Sequence, residues 1–233
     1  MGSGRKGKYF WLELDRRPWP VFHLGMTGNV EIRRSGKSFT RAWGLKLWSE
    51  GKRERNAPFL QFCRLRIIME DGTEIAITDP RRFGRIRLAN DPLTEPPISK
   101  LGHDPLQSFP SARSLAKILA KRRTPVKAVL LDQSVFAGVG NWIADEVLFQ
   151  AGISPYRRAA KLSQSEVARL RTKLLFIVKR AVADKANYDR YPSTWLFHHR
   201  WGKKENAQTS RKHRIVHDTI GGRTTAWVPA LQK

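Results

Sequence analysis

Cysteine is almost missing from this chain: Cys63 is alone among 233 residues. One thiol closes no internal disulfide, and its solitude excludes a cysteine-rich zinc site. Long apolar runs are missing too. None approaches the ~20 residues that a membrane-spanning helix needs, so no membrane partner is expected. The first stretch, MGSGRKGKYF, has no apolar signal core. The expected setting is therefore intracellular and reducing, nuclear in a eukaryote and cytoplasmic or nucleoid in a bacterium. Acidic side chains are scarce, with 20 Asp and Glu against 44 Lys and Arg, a formal net charge of +24. Self-repulsion of that size opposes compaction, and a polyanion relieves it, so nucleic acid is the first expected partner. Apolar material is not in deficit. Hydrophobic residues make up 40% of the chain and eight are Trp, enough for a folded core.

Organisation follows from pattern. Between Lys8 and about Leu88, the runs KYFWLELD, PVFHLGMTGNVEI, FCRLRIIMEDGTEIAITD and RIRLA are β-prone and separated by turn residues. Asp71-Gly72 between two alternating runs predicts a hairpin. The expected domains are a β-sandwich over 1–92, a linker over 93–108, a helical domain over 109–190 and a terminal hairpin over 191–233. The linker is expected within the stretch NDPLTEPPISKLGHDPLQSFPS, residues 90–111, where five of the thirteen prolines gather without periodicity. Leu115, Ile118 and Leu119 lie at helical spacing. Ser163 and Glu166 form a capping-box signature ahead of Val167, Leu170 and Leu174. Near the end, two β-prone runs flank Gly221-Gly222, with Arg223 at or beside the tip.

Three local constellations suit nucleic acid, and each has a plainer alternative. Gly138-Val139-Gly140-Asn141 precedes an apolar helix ending at Gly152. Asn141 is expected as its N-cap, and the exposed N–H groups suit phosphate; a tight turn before a structural helix fits equally well. Asp79-Pro80-Arg81-Arg82-Phe83-Gly84 offers guanidiniums for phosphate or a base edge and an aromatic ring for stacking. An ordinary hairpin with a buried Phe83 is its alternative. His23-Leu24-Gly25-Met26-Thr27-Gly28 places Met26 between glycines, as an exposed wedge or as a core methionine. His198, His199, His213 and His217 lack accompanying cysteines, so no metal site is expected in the tail.

Taken together, GRKGKYFWLEL, HLGMTG, TDPRRFGRIRL, LGHDPL, LLDQSVFAGVGNWIADEVLFQAGI and GGRTTAWVPALQK resemble, in order and spacing, the formamidopyrimidine-DNA glycosylase/endonuclease VIII family of base-excision repair enzymes. The resemblance implies an α+β fold: an N-terminal β-sandwich, truncated at its start, a helix-two-turn-helix domain and a zincless-finger hairpin. It implies a monomer, without cofactor or metal, that binds duplex DNA carrying oxidised or abasic sites in a cleft between its domains. The implied activity is excision of the oxidised base and β,δ-elimination at the abasic strand. The implied catalytic residues are Lys8 beside the reacting sugar, Arg223 on the lesion-side phosphate, and Glu146 as an acid near the site. The implied DNA contacts are His23, Met26, Arg81, Phe83, Lys127, Asn141, Gly138 and Gly140. Met26, Arg81 and Phe83 would fill and probe the gap left by the extruded nucleotide. Family members begin with a Pro-Glu dipeptide whose secondary amine attacks the sugar, about fifty residues before the lysine matched by Lys8. The chain as given is expected to lack that nucleophile, and Phe62 stands where a family histidine is expected. A homologue that binds damaged DNA without excision, or a general nucleic-acid-binding protein, is the alternative.

Overall fold

The computed structural model describes residues 2–34, 37–38, 62–202 and 206–233; the part of the expected sheet region over 39–61 lies outside them. The chain divides into two compact units, Met1–Ser99 and Lys100–Lys233.

The first unit is built from antiparallel strands: β1 (Gly2–Lys6), β2 (Tyr9–Glu13), β3 (Trp19–His23), β4 (Asn29–Arg34), β5 (Lys37–Ser38), β6 (Cys63–Ile68), β7 (Glu74–Thr78) and β8 (Arg85–Ala89). They form two sheets, ordered β1-β2-β3-β8 and β5-β4-β7-β6. Strand β6 alternates half-buried with exposed residues, as a strand with one face on a core does. Trp11, Val21 and Phe22 from the first sheet and Ala76 and Ile77 from the second are buried. Phe22 and Ile86 line a cavity of about 200 Å³ together with Ile77, so the sheets face one another as a sandwich.

Two connections cross between the sheets. The β3–β4 turn carries Met26, and the β7–β8 turn carries Arg81 and Phe83. Strand β1 was not legible as a strand, because GSGRK has no β-prone residue. It forms by pairing with β2, Gly2 opposite Glu13 and Lys6 opposite Tyr9. Trp11 lies across Gly4 so closely that a Cβ there would meet the indole at 2.0 Å.

The second unit holds α1 (Ala112–Ala120), α2 (Val126–Leu131), α3 (Asn141–Ala151) and α4 (Gln164–Ala183), followed by the hairpin β9 (Val216–Ile220) and β10 (Arg223–Trp227). Ser111 caps α1 through Ser114 N–H, and Ser163 with Glu166 forms the capping box of α4. Helix α4 is about 30 Å long and lays Val167, Leu170, Leu174 and Ile177 on the core, against α1 and α3. Helix α3 is enclosed on most of its circumference, burying Ala144, Asp145, Glu146, Val147 and Leu148. Two carboxylates are thereby carried into the interior. The terminal hairpin packs on α3 within this unit.

Candidate nucleic-acid interface

In the first unit, two turns present the side chains expected to probe DNA. Met26 is 67% exposed and Phe83 46% exposed, so neither belongs to the core. The Arg81 guanidinium stacks over the Phe83 ring at 4.6 Å, a flat cationic and aromatic pair suited to base surfaces.

What shapes the turns is Asp79, which is 3% exposed. Its Oδ1 accepts from Thr27 Oγ1 at 2.6 Å and from Arg81 N–H at 3.2 Å, and its Oδ2 accepts from Gly84 N–H at 2.7 Å. Its carbonyl accepts Arg64 Nε and Nη2 at 3.0 and 2.9 Å, and its N–H donates to Phe62 O. Burial alone would raise the Asp79 pKa. Hydrogen bonds from Thr27, Gly84, Arg81 and Phe83 outweigh it and hold the carboxyl below its ordinary value. The tight turn also sets Arg82 at φ 60°, a left-handed conformation that costs a non-glycine residue about 1 kcal/mol or more. Gly25, at φ +64°, abuts this turn directly. A Cβ there would lie 2.7 Å from Phe83 C and 2.9 Å from Gly84 N.

His23 ends β3 beside these turns. Its Nδ1 accepts from Gly25 N–H at 3.1 Å, which leaves Nε2 as the protonated nitrogen. Burial, then the charges of Lys8 and Arg85, lower its pKa, so the ring is a neutral donor at physiological pH. Its ring also tilts against Tyr9 at 4.7 Å. Lys8 is exposed in the β1–β2 turn.

In the second unit, Gly138 takes φ 90°, a conformation open to glycine. Gln133 braces this entry to α3. Its Oε1 accepts Gly138 N–H at 3.0 Å, while its Nε2 donates to Leu131 O and Val139 O, both at 2.9 Å. Gly140, not Asn141, is the N-cap, with no side-chain cap bond. Asn141 is the first helical residue, and its Nδ2 donates to Thr224 O of β10 at 2.7 Å. Its Oδ1 is buried without a hydrogen-bond partner among the described residues. One Nδ2 hydrogen remains beyond the Thr224 bond, beside the helix-start N–H groups that no intrahelical carbonyl satisfies. Arg223, exposed at the start of β10 beside the Gly221-Gly222 turn, is the neighbour of Thr224.

Two expected site residues are interior. Lys127 is fully buried, its Nζ paired with Asp145 Oδ1 and donating to Asn141 O at 3.2 Å. The ammonium expected at a phosphate is therefore enclosed and committed beneath the helix start. Burial, opposed by Asp145, lowers its pKa. Glu146 is also fully buried. It accepts from Gln150 Nε2 and Phe197 N–H, both at 2.8 Å. Burial pushes its pKa up to about 7 against the pull of these bonds and of Arg200. In the structure Glu146 lies in the interior and fixes the backbone at Phe197.

Asp145 is the hub that sequence reasoning missed. Besides Lys127 it accepts Arg200 Nε and Nη2 at 3.1 and 2.5 Å and Ala226 N–H at 3.1 Å. One carboxylate thus joins α2, α3, the segment after α4 and the hairpin. Thr27, Asp79 and Gln133 were missed as well. Asp79 stood inside a quoted motif, whereas Arg200, 55 residues from Asp145, left no local signal. Three of the four tail histidines go to carbonyls: His198 to Tyr191 O, His199 to Ser193 O and His217 to Arg200 O. No group of three or more potential metal ligands occurs among the described residues, and no described helix is long and apolar enough to cross a membrane.

Comparison with known proteins covers both units. The family model "Formamidopyrimidine-DNA glycosylase N-terminal domain" matches residues 1–86, and "Formamidopyrimidine-DNA glycosylase H2TH domain" matches residues 101–191. A formamidopyrimidine-DNA glycosylase of Arabidopsis thaliana is 39% identical across 100% of this chain, which spans 58% of that protein's length. One from Desulfitobacterium hafniense is 33% identical over 98% of this chain and 80% of its own. A Lactococcus lactis protein, solved with DNA containing an abasic site, shares the fold with a TM-score of 0.76. It is 23% identical, over 100% of this chain and 81% of that one.

Proposed function

The chain belongs to the formamidopyrimidine-DNA glycosylase family, and from that premise we propose that it acts in base-excision repair. It binds duplex DNA containing oxidised bases or abasic sites, excises the damaged base and cleaves the abasic strand by β,δ-elimination, as an intracellular monomer. The observation that carries this reading is the exposure of Met26 and Phe83 on turns with buried bases. Extruding a nucleotide costs a few kcal/mol, and a side chain that occupies the gap restores part of the lost stacking, about 1–3 kcal/mol per aromatic contact. Met26 and Phe83 fill the gap, and Arg81 faces the orphaned base. His23 and Lys8 serve the strand beside the sandwich. The α3 entry at Gly138, Gly140 and Asn141 holds a flanking phosphate, with Lys127 supplying charge from beneath. Arg223 holds the lesion-side phosphate.

A second reading, binding without excision, is favoured by the burial of Glu146. It leaves Lys8 and Arg223, both cations, as the exposed members of the expected catalytic set. Two measurements on oxidised, abasic and undamaged duplexes separate the readings. Equal affinity for all three, indifferent to Met26→Ala and Phe83→Ala, overturns both. Lesion preference with a borohydride-trapped adduct supports excision and lyase chemistry, and preference without any adduct supports binding alone.

A further inference from the structure

We propose that Thr27 and Asp79 are positioning residues that tie the Met26 turn and the Arg81–Phe83 turn into one rigid probe of the DNA stack. The inference rests on the lesion-binding reading above and adds the residues that make the probe stiff. The two turns are far apart in the chain, and both cross between sheets at the same end of the sandwich. The strand ladders set the turns side by side, His23 opposite Arg85 in one sheet and Asn29 opposite Thr78 in the other. Between those pairs the Thr27–Asp79 hydrogen bond ties the turns themselves, across 52 residues, with Thr27 8% and Asp79 3% exposed. Asp79 Oδ1 is shared between the Thr27 hydroxyl and Arg81 N–H, so a displacement of Thr27 is felt at the backbone carrying the Arg81 guanidinium. The second oxygen fixes Gly84 N–H on the far side of Phe83. Backbone contact at Gly25 closes the same joint from the other turn.

Buried polar ties beneath exposed tips are what a wedge requires. The tips must reach into a stack whose opening costs a few kcal/mol, and a support that yields loses that work as loop motion. A buried hydrogen bond to a carboxylate is among the stronger kind in proteins.

Thr27→Val keeps the shape and removes the donor, and Thr27→Ser restores it. Two readouts are taken on the 233-residue chain. The first is amide hydrogen exchange over residues 79–86 in the free protein. Thr27→Val is expected to speed exchange at Arg81 and Gly84 roughly tenfold, and Thr27→Ser to return it to the wild-type rate. The second is affinity for an abasic-site duplex relative to an undamaged one. Thr27→Val is expected to lower this ratio by about tenfold while undamaged-duplex affinity stays within about twofold; loss of fold would lower both affinities together. Unchanged exchange at 79–86 overturns the tie. Faster exchange with an unchanged ratio shows that the tie does not serve probing and overturns the proposal. A wild-type chain without lesion preference overturns the functional reading instead, and the exchange data then judge the tie on its own.

Discussion

Glu146 carries a proton under conditions in which an exposed carboxyl has lost it. With a pKa raised to about 7 against an ordinary value near 4.3, its contribution to stability is fully present below the unfolded value. It is lost as pH rises through about 7. Glu146→Gln is a neutral isostere that still accepts from Phe197 N–H. Thermal and denaturant unfolding at pH 4 and pH 8 are expected to show near-equality at the lower value and a gain of up to about 3 kcal/mol for the variant at the higher. A variant no more stable than wild type at pH 8 refutes this account. Phe83 bears the second prediction. Phe83→Ala is expected to reduce abasic-duplex affinity by about tenfold with little change in unfolding midpoint, because a ring 46% exposed contributes little to the core. Titration of labelled duplex checks the first part and thermal unfolding the second. At this scale the sequence was informative about position where a motif was short and local. Met26, Arg81 and Phe83 stand at the turns where their flanking glycines and proline put them. It was uninformative about burial: nothing in the stretch ADEV marks its two carboxyls as interior, and only the packing of α3 on nearly all sides reveals that Asp145 and Glu146 are buried.

Among elements, the hairpin shows how partners distant in sequence redefine a local signal. Asn141 has the chemistry of an N-cap, yet Gly140 takes that place and the Asn141 amide goes to Thr224, 83 residues on. No helix-start rule contains that partner. The β9–β10 hairpin was legible from Gly221-Gly222 and its flanking β-prone runs, whereas its anchorage on Asp145 was not. Asp145→Ala would leave Lys127 and Arg200 buried without their shared anion, at an expected cost of about 3–5 kcal/mol. Denaturant unfolding measures that cost, and amide exchange at Ala226 locates it: release of the hairpin is expected before global unfolding. Loss of stability below 1 kcal/mol, with Ala226 still protected, contradicts the hub. Strand β1 is the complementary case, a strand assembled by its neighbour. Its two glycines make room for Glu13 and Trp11, a requirement written in β2 rather than in β1.

For the whole molecule, charge dominates. A formal +24 has to be met by phosphate or by salt, so binding releases counterions. If about six phosphates are engaged, affinity for any duplex is expected to fall on the order of a thousandfold between 50 and 200 mM salt. The ratio of damaged to undamaged affinity is expected to stay nearly flat, since the contacts proposed for Met26 and Phe83 involve no charge. Fluorescence titration across that range tests both, and a ratio that collapses with salt would assign discrimination to electrostatics. The hub beneath α3 has one more consequence, for chemistry rather than binding. A clasp made of a carboxylate, an ammonium and a guanidinium has no thiolate to oxidise and no ion to surrender to a chelator. The hairpin's register should therefore survive peroxide and metal starvation together, in the same oxidising conditions that generate damaged bases.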